Sequence, residues 1–291
     1  MLLIAGIIPI ADLPLIEGKV EKNGGFLSVN GNDIPPTQGT AAMISAALEV
    51  SSFLDIEPPH VVLAGDIGNG KGSRLIYRYL IENLESLSAR VLALHYCLPI
   101  IQLMKQLVAV VDKCGTRPVL IADAASMYAA KAAGLAGKFD IFTPDASEIA
   151  FLADPEAEHP AYISRHLFET DSSRVPELIK KAYANNAAAR LLLVKGECDY
   201  IALEGNIIAS VNEPDIPEIE CIGGTGDTIT GMLSAFVHAG YPMEQAALIS
   251  ARANRFAGQM AEANPATLVG ELIRYLPEVF KDKLDSWVEK T

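Results

Sequence analysis

Residues 222–231 read Ile222-Gly223-Gly224-Thr225-Gly226-Asp227-Thr228-Ile229-Thr230-Gly231 and open an apolar stretch with helical character that continues to His238. Glycines let a backbone turn tightly and approach a ligand, and the unpaired N–H groups of a helix start point at an anion. The helix dipole adds to that attraction. Asp227 fits poorly in a site that only binds anions, because it sets negative charge beside a phosphate. It makes sense as a general base that takes a proton from a nearby hydroxyl. The structural alternative is a Gly-rich turn with Asp227 as an ordinary first-turn residue.

Working outward, the preceding chain alternates strand and helix patterns. Short apolar runs at Met1–Ile8, His60–Gly65, Arg90–Leu94, Val119–Asp123, Asp140–Thr143 and Arg190–Lys195 are continuous rather than alternating. That pattern suits strands buried on both faces of a parallel sheet. Helices are expected over Gln38–Phe53 (with Thr37 as N-cap), Arg74–Leu87, Thr225–His238, Met243–Glu262 and from Thr267 to about Phe280. Between Lys19 and Ile34 the residues alternate around Asn23-Gly24-Gly25 and Asn30-Gly31-Asn32, turn signals that close hairpins. The expectation is an α/β fold of three layers, α/β/α, with a mostly parallel central sheet and a small N-terminal β-hairpin, read as one domain over residues 1–291.

In such sheets the chemistry gathers beyond the carboxyl ends of the strands. That rule selects Gly65-Asp66, Asp123-Ala124, Thr143-Pro144-Asp145 and Lys195-Gly196. In Asp145-Ala146-Ser147-Glu148 a capping box accounts for both carboxylates. The functional reading is that they hold Mg²⁺, or its waters, beside nucleotide phosphates. Gly65-Asp66-Ile67-Gly68-Asn69-Gly70-Lys71-Gly72-Ser73 nearly spells a P-loop, but Gly72 stands where the metal-binding hydroxyl belongs. Ser73 comes one residue late, about 100° further round the helix, so a Gly-rich substrate loop is the better reading. Gln38-Gly39-Thr40 at a helix start offers an anion or substrate contact, or plain capping.

Composition narrows the partners. With 23 Lys+Arg against 36 Asp+Glu the net charge is −13, which repels nucleic-acid backbones. Four scattered cysteines form no CxxC pair and five histidines form no zinc pattern. The apolar start lacks a basic segment and meets Pro9 and Asp12 early, so it reads as a buried strand rather than a signal or membrane span.

Gly223-Gly224-Thr225-Gly226-Asp227 resembles the anion-hole and catalytic-Asp signature of ribokinase-like enzymes. Asp145-Ala146-Ser147-Glu148 resembles that superfamily's Asn-x-x-Glu, with Asp in place of Asn. Within the superfamily the chain is most similar to ADP/ATP-dependent NAD(P)H-hydrate dehydratases. Gly65-Asp66-Ile67-Gly68, Asp123-Ala124, Thr143–Glu148, Lys195-Gly196 and Gly223–Asp227 resemble their motifs in order, and Gln38–Ala42 resembles their Gly-Ala-Ala helix start. Here Asp145-Ala146-Ser147 replaces the family's His-Pro-Gly. Ala146–Ile149 and Gly196–Tyr200 are also similar to hydroxyethylthiazole kinase, which carries Cys where Asp227 stands.

The resemblance implies ADP or ATP on Gly223, Gly224, Thr225, Gly226, Lys195 and Gly196, and Mg²⁺ held through Glu148. It implies substrate near Gly39, Thr40, Asp66, Gly68, Asp123 and Asp145, with Asp227 as base. The four scattered cysteines read as reduced thiols of a cytoplasmic protein, and the resemblance implies a homo-oligomer with the 19–34 hairpin serving as a lid or dimer-forming element. A small-molecule kinase acting on a sugar, thiazole or pyrimidine alcohol would use the same base. A regulator that only binds nucleotide would need none.

Overall fold

The computed structural model describes residues 1–157 and 172–288; His159 and His166 lie outside the described residues. Nine strands form one sheet. Six are parallel: β1 (Leu2–Ile8), β6 (His60–Gly65), β7 (Val91–His95), β8 (Val119–Asp123), β9 (Ile141–Phe142) and β10 (Leu191–Val194). Three antiparallel strands close its edges: β2 (Ile16–Lys19) pairs with β6, and β11 (Asp199–Leu203) joins β10 to β12 (Asn206–Val211). The order is β12-β11-β10-β9-β8-β7-β1-β6-β2. The second strand laid down in the parallel set, β6, lies on one side of β1 and the third, β7, on the other. The sheet therefore reverses direction of growth at β1, where crevices form.

Side chains along the strands serve two cores in alternation, as a period of two demands. Leu2, Ile4, Val61 and Leu63 pack with α1 (Thr40–Phe53), α7 (Thr225–Ala239), α8 (Met243–Met260) and α9 (Val269–Trp287). Leu3, Ala5, Val62 and Ala64 pack on the other face with α2 (Lys71–Leu87), α3 (Ile101–Val111), α4 (Ala125–Ala132), α5 (Ala146–Ala153) and α6 (Val175–Ala184). The three-layer α/β/α expectation matches this architecture.

One local expectation needs extending and one needs correction. The 19–34 segment turns at both expected sites but holds three short strands rather than two. Ile16–Lys19 joins the central sheet, and β3 (Glu21–Asn23), β4 (Phe26–Val29) and β5 (Asn32–Ile34) form a separate three-stranded antiparallel sheet. Thr37 does not cap α1, which starts at Thr40 after Gly39, whose φ of 62° breaks the helix, and it has no side-chain cap. Helix α1 lies directly on α7. A Cβ on Gly231 would stand 2.0 Å from the carbonyl oxygen of Met43, so only glycine permits this approach. The approach brings the start of α1 beside Asp227, one turn before Gly231.

Candidate active site

The carboxyl ends of the parallel strands and the start of α7 enclose a cavity of about 480 Å³, lined among others by Tyr96, Asp123, Glu148, Lys195, Gly224 and Asp227. Its geometry follows from strand register. His95 ends β7, Asp123 ends β8, and the two are paired positions, so both side chains leave the same face. Asp145 and Lys195 form a parallel bridge just past β9 and β10.

Asp227 sits in the first turn of α7 but does not cap its own helix. Gly39 N–H donates to Oδ2 at 2.8 Å, and the His95 ring meets Oδ1 with Nε2 at 3.0 Å. Helix α7 starts from Gly224 at φ 103°, a left-handed conformation that favours glycine, and no side chain among the described residues caps it. The Thr225 N–H donates to the Ile222 carbonyl at 3.4 Å; the rest of that first turn carries the uncapped N–H groups of a helix start, at residues that line the cavity. Burial pushes the Asp227 carboxyl up, but the hydrogen bond and charge of His95, with Lys195 and the Gly39 amide, outweigh it. The balance holds the group below its ordinary range, an ionised acceptor at neutral pH.

Lys195 stands beside that helix start. Its Cδ, Cε and Nζ pass 3.6 Å from where a Cβ on Gly226 would be. Nζ donates to both Asp123 oxygens at 2.9 Å. Asp123 also takes the Ala124 N–H at 2.8 Å and the Thr230 hydroxyl. Burial disfavours the Lys195 ammonium, yet Asp123, Glu148 and Asp227 together raise its pKa. Asp123, expected at the substrate, is thus the anchor of Lys195, although it still lines the cavity.

The 145–148 segment forms the capping box. Asp145 Oδ1 accepts from the amides of Ser147 and Glu148 at 2.8 Å, while Glu148 Oε2 accepts the Asp145 N–H at 2.9 Å. Tyr128 donates its hydroxyl to Glu148 Oε1 at 3.1 Å. Burial, then repulsion from Asp145 and Asp123, raises the Glu148 pKa. The cap and a cation site are compatible, because each carboxylate oxygen accepts more than one bond.

Gly196 lines the cavity beside Lys195, and other expected contacts are placed differently. The Gly196 amide donates to Asp199 Oδ1 at 3.1 Å, and Arg255 binds Asp199 Oδ2 at 2.9 Å and the carbonyls of Gly196 and Glu197 at 2.8 Å. Gly39, Thr40 and Gly223 do not line the cavity. Gly39 and Thr40 serve the Asp227 network from behind. Asp66 and Gly68 are also away from it. Asp66 is buried, and its carboxylate accepts from the amides of Gly68, Asn69, Gly70 and Ser73 and from the Ser73 hydroxyl, all at 2.9–3.1 Å. These are the N–H groups a P-loop would turn to phosphate, and here the loop's own carboxylate fills the cradle.

Three functional neighbours escaped the sequence reading. His95 is fully buried. Tyr96 adopts φ 56°, lines the cavity and sets its ring edge-on to His95, centroids 4.5 Å apart. Arg255 is invisible within a helical pattern. His95, Asp123 and Asp227 also bring one nitrogen and two carboxylate oxygens within 4.8 Å of one another. There the Lys195 ammonium holds both Asp123 oxygens, and His95 bonds Asp227 directly.

An open helix start, a carboxylate held off it and a buried lysine, all at the carboxyl ends of a mostly parallel sheet, define an enzyme of the ribokinase-like α/β class. The chain belongs to the carbohydrate-kinase family described as NAD(P)H-hydrate dehydratase, whose profile matches residues 72–278. An uncharacterized protein of Methanocaldococcus jannaschii, MJ1337, is 38% identical over 242 residues, covering 83% of this chain and 100% of its own. The solved ADP/ATP-dependent NAD(P)H-hydrate dehydratase from Bacillus subtilis, co-crystallized with ATP/Mg²⁺ and soaked with CoA, superposes with a TM-score of 0.54 at 16% identity, over 96% of this chain and 91% of that one. Phosphofructokinase-2 from Escherichia coli, in complex with fructose-6-phosphate, gives a TM-score of 0.53 at 15% identity, over 95% and 99%. Among the described residues no helix is long and apolar enough to cross a membrane.

Proposed function

We propose that this chain is a nucleotide-dependent NAD(P)H-hydrate dehydratase that works by phosphorylation and elimination. The observation that carries the reading is the Asp227 carboxylate, ionised and bound to Gly39 and His95 while no described side chain caps the start of its own helix. ADP or ATP places its terminal phosphates on the α7 start, over Gly224, Thr225 and Gly226, with the Lys195 ammonium alongside. Asp227 accepts the proton of the hydrate's hydroxyl as that oxygen attacks the terminal phosphorus. The nucleotide leaves one phosphoryl group shorter. Loss of the new phosphate ester as inorganic phosphate, with a proton from the adjacent ring carbon, restores the reduced nicotinamide.

Six carboxylates line the cavity (Asp123, Asp145, Glu148, Asp199, Glu220 and Asp227) against Lys195 and Arg255. A polyphosphate adds further negative charge, so the site calls for a cation, and the hard oxygens of Glu148 and Asp145 fit Mg²⁺. When bound, Mg²⁺ supplies charge neutralisation at the phosphates. The reading extends to one ribokinase-like domain acting as a cytoplasmic homo-oligomer, for which the four unpaired cysteines suit a reducing compartment.

The test mixes purified protein with NADH hydrate, Mg²⁺ and either ADP or ATP, and follows absorbance of the reduced nicotinamide. Recovery that depends on nucleotide supports the reading and identifies the donor. No recovery from folded, nucleotide-binding protein overturns it and directs a screen of sugar, thiazole and pyrimidine alcohols, on which the same base would make a kinase.

A further inference from the structure

The proton count around His95 carries a second role. Thr40 Oγ1 lies 2.7 Å from the carbonyl oxygen of Ile7 and 2.9 Å from His95 Nδ1. A carbonyl brings no proton, so the hydrogen between those two oxygens is the threonine's own. Thr40 Oγ1 is then left to accept, and His95 Nδ1 must be the donor. On the ring's other side one proton lies between Nε2 and Asp227 Oδ1, 3.0 Å apart. If Asp227 is the ionised acceptor, both ring nitrogens carry hydrogen and the imidazole is a cation.

The surroundings favour that arrangement. His95 is wholly buried. The groups around it are Asp227 from α7, Asp123 from β8 with its nearer oxygen 3.7 Å from Nε2, and Tyr96 beside it; Lys195 from β10, Asp145 and Glu148 lie further into the cavity. Carboxylates outnumber cations in this set. Space for the contact comes from Gly6 on β1, where a Cβ would stand 2.7 Å from both Thr40 Cγ2 and the His95 carbonyl oxygen.

We propose that His95 is a positioning residue: fixed by Thr40, it donates Nε2–H to Asp227 and keeps that carboxylate a charged proton acceptor turned away from the α7 amides. This is the base-and-orienter arrangement of nucleophilic enzymes with the carboxylate as base and the imidazole as orienter. The consequence for catalysis rests on Asp227 as base. The protonation pattern itself does not.

The experiment is therefore spectroscopic first. Full-length protein labelled with ¹⁵N-histidine is examined by long-range ¹H–¹⁵N correlation at pH 7, with His95→Gln assigning the signal. The expected result is a His95 ring protonated at both nitrogens, changing to a singly protonated ring in Asp227→Asn. A singly protonated His95 in the wild-type protein overturns the proposal, whatever the substrate proves to be. In the hydrate assay His95→Gln, which keeps a donor but no charge, should lower kcat roughly a hundredfold. Nucleotide KM should hold, and the acid limb of the pH profile should move upward. An unchanged kcat with an unmoved limb would reduce His95 to a packing role and sink the proposal; should the dehydratase assay give no turnover at all, the spectrum still decides.

Discussion

Two glycine-rich helix starts in this molecule are nearly alike in composition and opposite in use. Residues 65–73 and 222–231 each combine several glycines, one aspartate and a following helix. In the first, Asp66 folds back and takes four amides and a hydroxyl of its own loop, filling the cradle those amides form. In the second, Asp227 is drawn to Gly39 and His95, outside its own helix, and no described side chain caps the helix start. The difference arises from what stands opposite. Helix α1, seated on α7 through Gly231, brings the Gly39 amide and β7 brings His95, whereas the donors to Asp66 come from its own loop and the helix start after it. A glycine loop keeps its amides free of its own carboxylate only where that carboxylate is engaged elsewhere.

That contrast can be broken at several points. The largest effect is expected from Asp227→Asn, which should cut turnover roughly 10³-fold while nucleotide affinity by calorimetry holds. Turnover that survives would refute the base. Next, Gly231→Ala should push α1 off α7, costing about 1–3 kcal/mol of stability and lowering kcat through the lost Gly39 contact; denaturant melts and kinetics on the same sample show whether the two losses appear together. Asp66→Asn turns an amide donor toward Ser73 and should cost about 2 kcal/mol with nucleotide affinity untouched. Weakened nucleotide binding there would mean the first loop is a ligand site after all.

The smallest effects are in pH. Burial opposes ionisation of Asp66, but its amide and Ser73 donors win and hold the carboxyl below its usual value. Its contribution is present above the ordinary carboxylate range and is lost as acid protonates the folded form. Asp199 has the opposite sign: burial raises it to about 6 against the pull of Arg255. Its contribution is full below the unfolded value of 3.8 and fades as pH rises through about 6. The stability of wild type relative to Asp199→Asn should therefore fall between pH 4 and pH 6–7. Thermal melts across that range that show a rise would reverse the assignment.

The fold was readable because buried parallel strands leave an unmistakable mark in continuous runs such as Leu191–Val194 and Val61–Ala64. The β11–β12 hairpin carried a usable signal, since Glu204-Gly205 between Leu203 and Asn206 is a two-residue turn with both φ positive. Asp227, Lys195 and the 145–148 cap were visible as local strings. His95 was not, because its meaning lies in register: it matters only as the partner of Asp123 across two strands and of Thr40 from another layer. Arg255 was hidden for the same reason, its Asp199 partner lying 56 positions away. Asp66 was legible as a residue but not as an internal cap, which depends on how its loop curls.

The most direct test is a crystal structure of Asp227→Asn, which should stall turnover, grown with ATP and Mg²⁺. The account predicts phosphate oxygens on the amides of Gly224–Gly226 with Lys195 alongside and the cation near Glu148. Phosphates seated on residues 66–73, with the α7 start left bare, would contradict it.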